Sequence, residues 1–505
     1  MAPVSPAALE KAYQTAKRRR QPWEPLWREC FAFASPVRGG GLSPEFGPAN
    51  RTSDRLFDGT APDAVEQLAA SLLAELTPPW SRWFEIVPGT ELEGEGRARL
   101  APLLEQATLT LLGHFERSNF AVEIHQCYLD LVTIGTATLL FQEASPGAGS
   151  AFRFTAVPAA EMCVLADGEG RITQQFRTTT IALAELHERF PAVPLPPALQ
   201  QRLKEDPDCR VELVEAVLAD GPRFRYCAFV PREETRGSEP LLLAEGGFER
   251  SPFVTFRWLK AAGEIYGRSP VMTALPDIKT ANKVVELILK NASIAVTGIW
   301  LAEDDGVLNP ANIDLSPGSI IPKAVGSSGL TPLQAPGRFD VSELVLGDLR
   351  ARIRHSLLGD RLGPVRDQRM TATEVLERSA EMARLLGATF GRLQSELLIP
   401  LLHRAASILR RRGELPELPL DGHMAGIAIR SPIARLQARE DVGNIVSWLE
   451  TVRKLGPEAA AVVDLPATVR WLAATLGVPA ELVRDPADPL SALAAELVDG
   501  DGDGA

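Results

Sequence analysis

The residues that could do chemistry are few and scattered. Six histidines, His114, His125, His187, His355, His403 and His423, stand far apart, and no HExxH helix is present to hold zinc. Each reads as a packing or surface residue. Five cysteines, Cys30, Cys127, Cys163, Cys209 and Cys227, form no close pair, so neither a disulfide framework nor a zinc knuckle is expected. No GxxxxGK[ST] phosphate loop occurs, which excludes a motor ATPase. No GxGxxG follows a strand, and no GxSxG elbow presents a nucleophile. The Asp304-Asp305 pair sits beside Gly306 in a turn, short of the two or three convergent carboxylates a metal-dependent nuclease needs. Asp499, Asp501 and Asp503 imitate half of a calcium loop, without the bidentate glutamate that completes one. The expectation is a protein with no catalytic residue, no cofactor and no metal.

Basic runs are the other candidates. Lys17-Arg18-Arg19-Arg20 could touch nucleic acid, but the plainer reading is a solvated helix face. Arg410-Arg411-Arg412-Gly413 reads as a helix ending, with cations at the negative end of the dipole and a glycine cap. The net charge is −12, whereas a protein that grips phosphates has a basic excess. Half of the deficit lies in the last 21 residues, from Asp485, which hold six acids and no base. Contact with DNA is expected to be loose or sliding, or confined to local basic patches.

The elements that would position these residues span 505 residues and 54.6 kDa, enough for about three or four domains. With 45% hydrophobic and 23% charged residues the chain is globular, which excludes a disordered or collagenous class. No apolar run is long enough for a transmembrane helix, and the first residues have no apolar signal core. Synthesis in a reducing cytosol is the expectation.

Residues 6–33 read as one helix, 35–50 as a Gly/Pro/Ser-rich loop, and 61–76 as an amphipathic helix. A strand begins at WSRWFEIV. Residues 97–145 look helical before the apolar run LVTIGTATLLFQE, where Gly135 marks a close backbone approach. From 152 to 256, short strands with Gly/Pro/Asp breaks predict an antiparallel region, interrupted by a helix at 182–190 and a Pro-rich stretch at 191–198. Residues 267–298 form one long helix that Pro276 starts or kinks. Turns and short strands fill 299–340, a helix covers 341–359, and a polar loop covers 360–371. Thr371-Ala372-Thr373-Glu374 is a capping box, flanked by Met370 and Val375 at the staple positions. The helix it opens runs to Arg412, with a bend expected among Gly387, Gly391 and Pro400. A strand in GIAIRSPIA and helices at 436–454 and 467–478 follow. The fold class is α+β.

Several strings, in this order, resemble the portal (head-to-tail connector) proteins of short-tailed double-stranded DNA phages. They are RQPWEPLWRECFAFASP, then RTSDRLFDGTAPDAVEQLAASLLAELTPPWSRWFEI at 51–86 and YGRSPVMTALPDIKTANKVVELILKNA at 266–292. DDGVLNPANIDLSPGSIIP at 304–322 and RMTATEVLERSAEMARLLGATFGRLQSELLIPLLHR at 369–404 complete the set. The last 70 residues do not align by these strings, which leaves the crown region open.

The resemblance implies a portal fold. Residues 1–269 would be the wing, 270–298 the first stem helix, 299–340 the clip, and 341–359 the second stem helix. Residues 360–371 would be the tunnel loop, 372–435 the long bent helix and its return to the wing, and 436–505 the crown and acidic tail. It implies a twelve-fold ring at one capsid vertex, a conduit for genome packaging and ejection. Arg361, Arg366 and Arg369 would meet passing DNA. Ile299, Trp300, Leu301, Ile320 and Ile321 would be buried against the neighbouring clip, being too few for a core of their own. The implied partners are further copies of the chain, double-stranded DNA, the terminase packaging motor, tail adaptor proteins and the major capsid or scaffold protein, with no membrane. The implied location is the virion, after assembly in the host cytoplasm. Two other readings compete. A helical DNA-processing subunit of nuclease type lacks convergent carboxylates, and a capsid shell protein does not suit a long-helix centre.

Overall fold

The computed structural model describes residues 5–38, 55–89, 94–206, 208–235, 239–297, 300–302, 330–332, 339–358, 387, 389–416, 420, 422–430, 432–455 and 463–476. The chain opens with two helices, α1 (Pro6–Arg20) and α2 (Glu24–Ala34), rather than the single helix expected over 6–33. Pro22 is the cause, since it has no N–H to donate and its ring crowds the preceding turn. Pro25 then falls in the first turn of α2, where a missing N–H costs nothing. The next helix, α3 (Thr60–Leu76), matches its expected span and buries Val65, Leu68, Leu72 and Leu76 along one stripe.

Strand β1 (Phe84–Pro88) precedes two further helices, α4 (Gly94–Glu116) and α5 (Phe120–Ile134). Gly135 caps α5 at φ +78° and hands the chain to β2 (Thr136–Glu143). A Cβ at Gly135 would stand 2.6 Å from the carbonyl carbon of Arg268, so the close approach read from the sequence is present.

The antiparallel region is also as expected. It contains β3 (Phe152–Val157), β4 (Met162–Ala166) and β5 (Ile172–Ala182). Two helices follow, α6 (Leu183–Arg189) and α7 (Pro197–Glu205). Then come β6 (Arg210–Asp220), β7 (Arg223–Val230), the one-turn α8 (Arg232–Thr235), β8 (Leu241–Phe248) and β9 (Phe253–Arg257). Helix α7 is an addition to the reading. Pro197 lies in its first turn, so the proline that looked like an interruption starts a helix.

Strands β4 to β8 form a five-stranded meander, and β3-β2-β9 a smaller sheet. Alternation along β6 gives the meander two apolar faces. Val214 and Ala216 face Leu9, Tyr13 and Ala16 of α1, while Val211 and Leu213 face Leu183, Leu186 and Leu199 of α6 and α7.

The second half contains α9 (Pro270–Thr297), β10 (Trp300–Ala302), β11 (Leu330–Pro332) and α10 (Phe339–Ser356). A five-residue π turn (Gln394–Leu398) runs into α11 (Ile399–Arg411). It lies between Gly391 and Pro400, where the bend was expected, and the Ile399 amide reaches back to the Gln394 carbonyl. Strand β12 (Ala425–Ile429) pairs antiparallel with β1, and α12 (Pro432–Leu455) and α13 (Leu465–Leu476) follow. Pro276 lies inside α9 rather than at its start. The main core joins α2, α3, α4, α5, the small sheet, the roots of α9 and α10, and α11. No helix among the described residues is long and apolar enough to cross a membrane.

Candidate functional site

Helices α9 and α10 form an antiparallel pair that is rooted in the body and emerges from it. At 1.5 Å per residue, α9 is about 42 Å long. Its root is buried through Val271, Ala274, Leu275, Ile278 and Ala281, whereas Leu287 and Leu289 further out are about half exposed, at 50% and 52%. Helix α10 runs the gradient in reverse. Leu344 is 79% exposed, and Leu346, Leu349, Ile353 and Leu357 are buried as the chain returns. Between the helices, Trp300, Leu301 and Ala302 pair with Pro332, Thr331 and Leu330 in a two-stranded ladder.

Polar groups fix the root. Asn282 is a lone amide in the apolar stripe of α9. Its Oδ1 accepts from the amides of Phe57 (2.6 Å) and Asp58 (3.1 Å), and its Nδ2 donates to the Arg55 carbonyl (3.0 Å). The Asp58 carboxylate in turn accepts from the Thr60 amide (3.0 Å) and from Arg350 of α10 at 2.7 and 2.8 Å. Burial alone would push the Asp58 carboxyl up. The Thr60 and Arg350 hydrogen bonds outweigh it and hold the group below its usual value. Arg352 adds a pair to Asp277 of α9 at 2.6 Å. One segment before α3 thus clamps both emerging helices.

A second clamp lies at the π turn. Arg257 of β9 is buried and grips Glu396 with two bonds, of 3.0 and 2.6 Å. It also donates to the carbonyls of Ile265 (2.9 Å) and Gly170 (3.0 Å). The Ile265 carbonyl belongs to the segment that leads into α9. Arg404 of α11 is buried as well, donating to the Phe141 carbonyl (2.7 Å) and the Arg250 carbonyl (2.5 Å). Burial, then the charge of Arg411, push its guanidinium pKa down.

The basic runs have structural partners. Arg20 bonds Glu24 and the carbonyls of Ala160 and Met162, and Lys17 lies over the Tyr13 ring, while Arg18 and Arg19 are exposed. Arg410 pairs with Glu249, Arg411 with Glu143, and Arg412 with Glu143 and Glu414. Gly413 caps α11 at φ +75°. His114 is a packing residue whose Nδ1 accepts from the Ala151 amide (3.1 Å) and whose Nε2 meets Glu414 (2.7 Å). Cys30, Cys127, Cys163 and Cys227 are buried thiols, and burial pushes Cys227 up to about 11 and Cys30 up to about 12. No group of three or more potential metal ligands converges among the described residues.

Trp300 and Leu301 are placed in β10. Ile299, Ile320 and Ile321, the loop 360–371 with Arg361, Arg366 and Arg369, and the capping box at Thr371 lie outside the described residues. Sequence reading missed the clamps at Asn282, Asp58, Arg350, Arg257 and Glu396. Two of the fixed polar groups left a signal, since Asn282 and Arg404 each interrupt an otherwise apolar helical stripe.

An α+β body thus holds a rooted, antiparallel helix pair whose outer end keeps apolar side chains bare. The sequence matches the family described as bacteriophage head to tail connecting protein over residues 7–483, and the chain belongs to that family. The probable portal protein of Bordetella phage BPP-1 is 25% identical over 500 residues, covering 92% of this chain and 86% of the relative. The portal protein of Salmonella phage epsilon15 is 23% identical over 494 residues, with the same coverages of 92% and 86%. Among solved structures, the neck of a native gene transfer agent particle computed with C12 symmetry aligns at 13% identity and TM-score 0.32, covering 82% of this chain and 94% of that one.

Proposed function

We propose that this chain assembles into a closed ring at one vertex of a phage capsid, the channel through which the genome is packaged and later ejected. The observation that carries the reading is family membership along residues 7–483, met by a helix pair whose outer ends keep Leu287, Leu289, Leu344 and Val345 in solvent. A ring of identical subunits needs two different contact faces on each copy, and long helices standing side by side around an axis supply them. In this reading the wing is 1–269, the stem is 270–298 with 341–359, and the clip is 299–340. The tunnel loop is 360–371, the long bent helix and its return are 372–435, and the crown with its acidic tail is 436–505.

A channel must let DNA slide, and a net charge of −12 suits that, because a continuous phosphate grip would stall movement. Arg361, Arg366 and Arg369 are assigned transient contacts with the DNA backbone. Ile299, Trp300, Leu301, Ile320 and Ile321 are assigned to contacts between neighbouring clips. The clip surface left over would receive the terminase motor during packaging and a tail adaptor afterwards, and the wing would meet the capsid or scaffold protein.

End-on negative-stain images and native mass of the purified chain test the ring. Closed rings of about a dozen copies, with a channel wide enough for duplex DNA, are the expected result. A stable monomer at micromolar concentration in physiological salt would overturn it. Changing the three arginines to alanine should leave rings intact and lower packaging or retention of DNA. Their burial in subunit contacts would sink the channel assignment.

A further inference from the structure

A cavity of about 300 Å³ opens to solvent between α4 and α11, beside β1 and the end of β8. Its floor is apolar, from Ile86 of β1, Leu104 and Ala107 of α4, and Ala406 of α11. Its rim is charged, from Glu249, Arg250, His403 and Arg410. His403, Ala406, Ser407 and Arg410 stand at i, i+3, i+4 and i+7 on α11, so one stripe of that helix lines the cavity while Leu402, Ala405 and Leu409 turn into the core. The volume is at the lower limit of ligand pockets, about 300–1,000 Å³, and suits one or two apolar side chains.

The rim carries a surplus of positive charge. The Glu249 carboxylate is engaged by Ser407 (2.6 Å) and by Arg410. Glu143 is held by Arg411 and Arg412, and Glu414 by Arg412. Arg404, buried beside the rim, donates to the carbonyls of Phe141 and Arg250. Among the described residues, no carboxylate lies within ion-pair distance of Arg250, which is exposed. Five arginines therefore stand against three glutamates, on a chain of net charge −12. His403 is half-buried, and burial, then the charge of Arg250, pull its pKa down, so it adds no cation at neutral pH. An acidic partner is repelled by most of this chain's surface and drawn to this point.

The spacing of the cations says what kind of partner. The Arg250 carbonyl is held by Arg404, and Arg410 stands six residues further along α11, about 9 Å at 1.5 Å per residue. Carboxylates must be presented at two separated points, with an apolar group between them. A polypeptide segment does this, and a small acid with one head group does not.

We propose that this cavity docks a segment of another protein, one that seats a leucine or phenylalanine side chain on the Ile86–Leu104–Ala406 floor and sets carboxylates on Arg250 and Arg410. The partner is an acidic, amphipathic segment, recognised by one apolar anchor and two charge contacts.

Fluorescence anisotropy on the purified full-length chain tests the site, with fluorescein-labelled Leu-Glu-Glu-Leu-Leu-Glu-Glu-Leu as the probe. Saturable binding with a Kd of about 100 μM or tighter is expected. The same peptide with lysine in place of glutamate should not bind. Arg250→Glu reverses an exposed charge, and Ala406→Phe fills the cavity. Each should weaken binding about tenfold, the loss of roughly one good contact. Arg223→Glu, at the start of β7, should leave it unchanged. Benzoylphenylalanine in place of a central leucine of the probe should crosslink to peptides containing Leu104–Ala107 or His403–Arg410. No saturable binding up to about 1 mM, equal binding of the lysine peptide, or an affinity indifferent to both substitutions would overturn the proposal. So would displacement of the probe by octanoate at equal concentration, which would give the cavity to a small amphipathic acid. The readout does not depend on ring closure, so it stands apart from the test of the channel.

Discussion

Asp58 and Arg350, 292 residues apart in sequence, meet at 2.7 Å beneath the point where both long helices leave the body. Asp58 is buried and Arg350 is partly open to solvent, so the carboxylate depends on its partners and the guanidinium does not. Asp58→Asn should lower stability at neutral pH by about 1–3 kcal/mol, the usual result of weakening a buried charged hydrogen bond. The pH dependence has a definite sign. The folded-state pKa lies below the unfolded value of about 3.9, so the stabilisation is complete above roughly pH 4 and disappears as pH falls through the folded value. Thermal melts of both proteins across pH should converge only at the acid end. A gap that closes near pH 7 would show that another group is responsible.

Arg257 and Glu396 make a stronger prediction, because both side chains are largely out of solvent. Arg257→Ala leaves Glu396 with Arg392 as its remaining cation, at 2.9 Å, and frees two carbonyls, of Ile265 and Gly170. Removing one member of a buried pair costs about 3–5 kcal/mol when the other is left unpaired, and Arg392 holds the loss to the lower end of that range. Hydrogen exchange should rise first in the π turn and in the segment leading into α9. Exchange unchanged in both places would mean that Arg257 does not couple them.

How much of this was legible follows from where the determinants lie. Periodicity and turn residues located α3, the antiparallel region, α9 and the ending of α11, because those signals are local. Pro22 marks a break that the apolar spacing across it masks, so α1 and α2 read as one helix, whereas Pro197 reads as an interruption and hides α7, whose first turn needs no N–H from it. The clamps at Asn282–Asp58–Arg350 and Arg257–Glu396 join residues between 139 and 292 positions apart, and no local pattern encodes such pairing. The π turn stands just before Pro400, which has no N–H to donate, and carries Glu396, which Arg257 holds. Its region was legible as a bend, and its geometry was not.

The two glycine caps should respond differently to the same substitution. Gly135 (φ +78°) and Gly413 (φ +75°) share a left-handed backbone. Alanine costs about 1–2 kcal/mol in that conformation. At Gly413 nothing lies within 4 Å of the added Cβ, so Gly413→Ala should fold and lose about that much. At Gly135 the Cβ would strike the backbone of Gly267 and Arg268, which cannot move without displacing the start of α9. Gly135→Ala should yield mostly insoluble chain. Equal melting temperatures for the two variants would contradict the packing argument.

The bare ends of the helix pair give the sharpest separation of folding from assembly. Leu289 is 52% and Leu344 79% exposed, so Leu289→Glu and Leu344→Glu remove little burial within one subunit. Surface changes of that kind usually shift stability by less than about 0.5 kcal/mol. If the next copy covers these leucines, each variant instead places an unpaired carboxylate in every contact of the ring, where its desolvation is unfavourable. The expected double variant has an unchanged circular dichroism spectrum and melting temperature at low concentration, and sediments as monomer or small oligomer where the parent forms rings. Lys290→Gln, a neighbouring exposed position whose partner Glu286 lies on the same helix, serves as the control and should still assemble. Rings formed at the parental concentration by the double variant would place the subunit contact on another face, and the bare leucines would need a different partner.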